Sequence, residues 1–468
     1  MSGRLTLRDV EVGGIGGLDV RLEHGRIAAV GRRLGSGGPE VDGAGGALIP
    51  GLIDHHIHLL ALAAQAQSVA LDETRDTGDL ARRLAAAAAT RPPGAWIRAT
   101  GYHEAVAGTL TADQLDRMAP RHPLRVQHRS GALWMLNGLA LAEALGGEPP
   151  PACVELDSAG RPTGRIWRGD AWLSARLGRA APPLAPVGAA LAAVGITGLT
   201  DASATTDAQA AAILAAAARS GELPQRLMLM SGGDLVPPPG VALGPVKILL
   251  DEDDLPDFDA FVGRIALARD WGRSVAVHCV TAAELGLTLA AFEAAGARPG
   301  DRIEHGSVIP RDALAGLAAL GLTVVTQPGF VAERGDRYLA EVAAHEQGDL
   351  YRIASLKAAG IAVAASSDAP YGGIDPWAGM RAAMDRRTRL GGAVAPNEAV
   401  AAETALALYL GDFARPGGPP RQVAAGAAAD LCLLDRPLAQ ALRAPDARRV
   451  AATLIGGQVV FERSAAPA

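Results

Sequence analysis

Residues 49–58 read Ile49-Pro50-Gly51-Leu52-Ile53-Asp54-His55-His56-Ile57-His58, an apolar run that ends in a His-x-His pair. Side chains alternate faces along a β-strand, so His56 and His58 project to the same side. At a strand end, two imidazoles so placed can take one metal ion, and imidazole is the commonest protein ligand for such ions. The pair alone is equally compatible with two histidines in a polar turn. The rest of the chain has to decide.

Outward from this run, short apolar stretches alternate with alanine- and leucine-rich ones. Strand candidates are 49–57, 196–201, 226–230, 246–250, 275–279, 302–305, 322–326 and 361–367. Helix-like segments at 255–271, 282–295, 311–320 and 351–359 lie between the later pairs. Eight strands with intervening helices outline an α/β fold, a (β/α)8 TIM barrel over residues 50–419. A doubly wound open sheet is the alternative, but no Gly-x-Gly-x-x-Gly follows the first strand.

About 140 residues separate the first two of these strands, far more than a βα connection needs. They include strand-like 95–101 and 124–128 and helix-like 112–118 and 136–145. Residues 62–190 therefore read as an insertion domain on the catalytic rim. Both chain ends differ in style again. Residues 5–12, 18–22 and 27–30 alternate apolar and polar between glycine turns, and 429–435 and 451–462 repeat the pattern. Residues 1–49 and 420–468 are thus expected to pair into one small β-sandwich.

Composition excludes several classes. With 468 residues, 49% apolar and a net charge of −6, the chain lacks the basic excess that recruits nucleic acid or an anionic membrane. The start has no signal-peptide pattern and no apolar run spans a bilayer, so a cytoplasmic protein is expected. Cys153, Cys279 and Cys432 are far apart and odd in number, as reduced thiols are. Among the 44 Lys and Arg, only Lys247 and Lys357 are lysines. A surviving lysine marks a place where arginine, which is never neutral in a protein, cannot substitute.

In barrels of this kind chemistry sits at the C-terminal ends of the strands. The first strand ends in His56 and His58, the fourth begins with Lys247, and the fifth reaches His278. The sixth ends at His305 in Arg-Ile-Glu-His-Gly, and the eighth runs into Asp368 in Ser-Ser-Asp-Ala-Pro. Any one of these histidines can be an ordinary hydrogen-bonded core residue. Four of the ten on one rim, with an aspartate and a rare lysine, point to a metal site.

This arrangement resembles the amidohydrolase superfamily along the whole chain, and more narrowly amidohydrolase family 3, which includes N-substituted formamide deformylases. Supporting segments are Trp96-Ile-Arg-Ala-Thr-Gly-Tyr102, Gly195-Ile-Thr-Gly-Leu-Thr-Asp201, Ile374-Asp-Pro-Trp377 and Ala424-Ala-Gly-Ala-Ala-Ala-Asp-Leu431. Two stretches differ. Ser130-Gly131-Ala132 stands where the family often carries Asp-Gly-His, and Ile-Leu-Leu-Asp follows Lys247 in place of a glycine-rich loop.

The resemblance implies two divalent ions, zinc by the nitrogen-rich donor set. One would take His56, His58 and Asp368, the other His278 and His305. Lys247, carboxylated by carbon dioxide, would bridge the pair. Partnering by a carboxylate such as Asp251 is the plain alternative for Lys247, and capping of the next segment the plain alternative for Asp368. A metal-bound hydroxide would attack a small amide, formamide or cyclic amide, with Asp368 as general base and then acid.

Substrate contacts are sought at Tyr102, His128, Arg129, Trp134 and Gln327, each with a plain reading as a packing or surface residue. The expected partner is a small molecule, and a homodimer is left open. Competing readings are a mononuclear deaminase-type hydrolase, in which Lys247 is a spectator, and a metal-dependent esterase or lactonase. A phosphate-binding barrel isomerase using Gly372-Gly373 and a non-catalytic barrel scaffold complete the set.

Overall fold

In the computed structural model, which describes residues 4–35, 38–177 and 181–464, the opening run divides in two. Leu48–Pro50 forms one strand and Leu52–Ile57 another, with Gly51 between them. The Gly51 backbone N–H donates to Asp430 O at 2.9 Å. A Cβ on Gly51 would lie 2.1–2.7 Å from atoms of the Thr197 side chain. Only glycine fits where the chain passes so close.

Leu48–Pro50 pairs antiparallel with Leu431–Leu434, in a four-stranded sheet completed by Val450–Ile455 and Gln458–Glu462. A second four-stranded sheet holds Arg26–Gly31, Ile15–Glu23, Arg4–Val12 and Glu40–Asp42 in that order. Leu7, Val10, Val20, Leu22 and Ile27 of this sheet share one core with Leu48, Leu431, Leu433 and Leu454 of the first. Alternate positions of the second sheet, such as Leu5 and Leu7 or Leu18, Val20 and Leu22, are apolar and pack against the first sheet, whose strands Leu48–Pro50 and Leu431–Leu434 are buried at every residue.

The other half of the run is the first of eight parallel strands. These are β1 (Leu52–Ile57), β2 (Ile196–Asp201), β3 (Arg226–Ser231), β4 (Ala242–Ile248), β5 (Val275–Cys279), β6 (Arg302–His305), β7 (Thr323–Thr326) and β8 (Ala362–Ala365). They hydrogen-bond in chain order from β1 to β8, forming the α/β barrel expected from the sequence. All six residues of β1 and of β2 are buried, as in parallel sheets covered on both faces. Helices such as Phe258–Asp270, Ala282–Ala295 and Pro376–Asp385 alternate with the strands. Their starts are fixed by caps, with Asp257 accepting from Ala260 N, Thr281 and Glu284 forming a capping box, and Asp375 accepting from Trp377 N.

β4 starts at Ala242, earlier than the pattern suggests, so Lys247 is its next-to-last residue. That corrects its expected place at the beginning of the strand and moves it to the C-terminal end. In β1, three steps from Asp54 to Ile57 face two from Leu199 to Asp201 in β2. This bulge re-aims the strand where the histidines begin.

Leu60–Pro183 forms a separate compact unit. Its six-stranded sheet runs Val154–Leu156, Pro162–Trp167, Leu133–Leu136, Leu124–His128, Ile97–Tyr102, Val69–Ala70. Leu80, Leu84, Ile97, Leu115, Leu124 and Val126 form one of its apolar clusters. The helix-like stretch 136–145 contains two elements, since Leu133–Leu136 is a strand and the helix Gly138–Leu145 starts behind an Asn137 cap.

Candidate metal centre

The C-terminal ends of β1, β4, β5, β6 and β8 bring together His56, His58, Lys247, His278, His305 and Asp368. The His56 and His305 rings lie 4.8 Å apart, centroid to centroid, and those of His278 and His305 lie 4.4 Å apart. His56 Nε2 and His58 Nε2 point at the same oxygen, Asp368 Oδ1, at 3.3 and 3.2 Å. His305 Nδ1 is 3.9 Å from Asp368 Oδ2. Donor atoms of His56, His58 and Asp368 all lie within 4.8 Å of one another, which is close enough to hold one ion.

Each ring is held from behind. His56 Nδ1 meets a carboxylate oxygen of Glu304, whose other oxygen accepts from Arg302 Nε at 2.5 Å. His58 Nδ1 lies 2.9 Å from Ser203 Oγ. Asp201 accepts from Ser203 N and from Leu59 N, at 3.1 and 2.8 Å, and so braces the segments on either side of His58. His305 Nδ1 lies 2.9 Å from Gln327 Oε1, and Gln327 Nε2 donates to Ser366 Oγ at 2.9 Å. Supports of this kind set ring orientation and tautomer at metal sites.

A hydrogen on His56 Nδ1 is what an acceptor-only carboxylate demands, and it leaves a lone pair on Nε2. That lone pair faces Asp368 Oδ1, an oxygen that accepts no hydrogen bond. Two acceptors at this range repel unless a cation stands between them. Burial holds His56 and His305 well below the ordinary imidazole range, and burial and then Lys247 bring His278 down to about 4. Neutral imidazoles are the ligating form.

Lys247 is 1% exposed and its Nζ has no hydrogen-bond partner. Burial brings its pKa down to about 8, against the pull of Glu304 and Asp368. An amine so easily neutral fits carboxylation. The plain alternatives fail geometrically. Asp251 accepts from Asp253 N at the start of a short 3-10 turn, and Asp375 caps the helix after Asp368. The orphaned Asp368 oxygen and the orphaned Lys247 amine together fit a centre that binds cations.

Most expected substrate contacts are engaged elsewhere. Gln327 is fully buried with both ends of its amide used by the protein, so it orients His305 and is not open to substrate. Tyr102 is 1% exposed and donates to Gly108 O at 2.5 Å, a core position in its own unit. Trp134 is buried, with the Arg98 and Arg125 guanidiniums 5.3 and 5.2 Å from its ring. His128 pairs with Glu104 at 2.7 Å and lies 2.8 Å from Ser130 Oγ. Arg129 is exposed. The Gly373 N–H that a phosphate would need donates instead to Glu333, at 3.1 Å. That carboxylate would repel a phosphate.

Sequence reasoning passed over Glu304, Arg302 and Ser203. For the first two a signal existed, since alternating charges in a buried strand demand partners.

Comparison with known proteins agrees with the fold. The Amidohydrolase family profile matches residues 40–461. An N-substituted formamide deformylase of Arthrobacter pascens is 27% identical, over 95% of each chain. A metal-dependent hydrolase of Pyrococcus horikoshii shares the fold with a TM-score of 0.77 and 20% identity, covering 92% of this chain and 97% of its own. A zinc-complexed atrazine chlorohydrolase of Arthrobacter aurescens gives 0.56 and 16%, covering 98% and 95%. No described helix is long and apolar enough to cross a membrane. The chain belongs to the amidohydrolase family and is a metal-dependent hydrolase of carbon–nitrogen bonds.

Proposed function

We propose that this enzyme hydrolyses small N-acyl or N-formyl amines or cyclic amides at a two-zinc centre. His56, His58 and Asp368 would hold one ion and His278 and His305 the other, and Lys247, once carboxylated, would supply oxygen donors to them. The observation that carries the reading is the convergence of two imidazole nitrogens on one unpartnered carboxylate oxygen. Similarity to a formamide deformylase along nearly the whole chain supports the substrate class.

Bound divalent ions supply Lewis acidity toward a carbonyl and bring the pKa of water toward neutrality. The chain supplies orientation and proton transfer. Asp368 takes the proton from the attacking water and returns it to the departing amine. It is held in place by its own backbone, Asp368 N donating to His56 O at 2.8 Å. The three free cysteines, two of them buried, support a reducing, cytoplasmic setting.

A panel of N-formyl amines, N-acyl amines and cyclic imides, assayed with zinc or manganese, tests the proposal. Turnover of lactones or phosphotriesters far above every amide would overturn the substrate class. One observation favours a second reading with a single ion. Among the described residues only His56, His58 and Asp368 meet as a three-donor group. Metal content separates the two, at two equivalents per chain or one.

A further inference from the structure

The pair behind His56 carries an assignment of its own, which rests on the metal reading above. Glu304 is fully buried and Arg302 is 2% exposed. Two residues apart on β6, they share a face, and Arg302 Nη2 reaches His55 O at 3.1 Å. The carboxylate is therefore fixed at both ends, against Arg302 on its own strand and against the ring of His56 on β1.

We propose that Glu304, clamped by Arg302, is a positioning residue that sets the tautomer and the metal affinity of His56. A neutral imidazole has one N–H, and a carboxylate at Nδ1 draws it there. Nε2 is then left as a lone pair aimed toward Asp368. The anion also makes the ring a stronger donor to a cation. Arg302 supplies the charge that keeps the carboxylate from being an unpaired buried anion. Among the described residues, the rings of His58 and His305 have no carboxylate behind them at hydrogen-bond distance. His58 leans on Ser203 and His305 on Gln327, both neutral groups. Retention of the ion at His56 accordingly depends on a charge outside the ligand set.

The test compares wild type, Glu304→Gln and the doubly neutral Arg302→Met/Glu304→Gln, each as the full chain loaded with zinc. Retained zinc is measured after dialysis against graded chelator, and circular dichroism checks folding. The double variant covers the case in which an unpaired Arg302 unfolds the single one. Zinc retention should fall roughly 10- to 100-fold in a folded Glu304 variant. In a His56→Ala background the same change should cost nothing further. Wild-type retention in a folded Glu304 variant overturns the assignment, as does an equal loss in the His56→Ala background. Wild type that holds no metal would instead overturn the metal reading itself.

Discussion

Asp368 and His56 meet at two places, once through the backbone and once through their side chains. The backbone N–H of Asp368 donates to His56 O at 2.8 Å, and the ring of His56 meets the carboxylate of Asp368 at 3.3 Å. The first link is part of the seam where β8 returns to β1, and His58 N to Ala369 O at 2.8 Å continues it. Closing the barrel and assembling the ligands are one event. Asp54 secures it, with Oδ1 accepting from His56 N at 3.2 Å and Ser367 N at 3.1 Å.

Replacing Asp54 should therefore damage stability and activity together. Asp54→Ala leaves one buried N–H, of His56, and one partly buried N–H, of Ser367, without an acceptor, at a cost of about 1–3 kcal/mol for the buried one. Asp54→Asn keeps an acceptor and should behave closer to wild type. Urea unfolding and kcat of the two variants check this, and equal stability of both would refute it.

Asp368→Asn should lower kcat by about 10²–10⁴-fold while the fold survives, because the amide cannot carry the proton. His56→Ala should instead lose metal. Metal analysis beside kcat distinguishes the two.

Lys247 places an unpartnered amine in the barrel interior, a costly arrangement in the absence of metal. Metal-free Lys247→Met should melt higher than metal-free wild type, yet have far lower activity. In wild type handled gently, mass spectrometry should find an added carboxylate on Lys247 and none on Lys357. A small carboxylic acid should partly restore activity to Lys247→Ala. Full activity in Lys247→Ala without any addition would favour the single-ion reading.

Away from the centre, Glu398 is buried and accepts from Ile353 N at 3.0 Å, Ser355 N at 2.9 Å and Arg352 Nη1 at 2.8 Å. Burial pushes this carboxyl up, but the Ser355 and Arg352 contacts more than offset it and hold it below the usual value of 4.5. A depressed carboxyl contributes stability above its unfolded pKa and loses it as pH falls. Wild type should lose stability below pH 4.5 more steeply than Glu398→Gln. Glu398→Ala should cost toward the lower end of about 3–5 kcal/mol at neutral pH, since Arg352 keeps Asp349 as a second partner. Urea titrations across pH measure both.

The barrel was legible because its strands are short, buried apolar runs, and the rim histidines because they end those runs. Boundaries failed where backbone geometry decided them. Gly51 splits one apolar run between two sheets, and no periodicity marks a close approach to Thr197. Asn137 likewise ends a strand and starts a helix within one apolar stretch. Gln327 looked available because it follows a strand end, but its partners are His305 on β6 and Ser366 just past β8. The Glu304–His56 contact spans 248 positions, and local pattern carries nothing about such distances.

The pairing of Leu48–Pro50 with Leu431–Leu434 also bears on how the polypeptide matures during translation. The second strand of that pair leaves the ribosome almost a full chain length after the first. Until then the early strands have no partner sheet, and the barrel lacks its last strand for nearly as long. The unit Leu60–Pro183 has all its own strands much sooner. Synthesis therefore passes through a stage in which the strands of Leu60–Pro183 are all present while the sandwich and barrel strands already made have unpaired edges, the stage at which chaperones have most to protect.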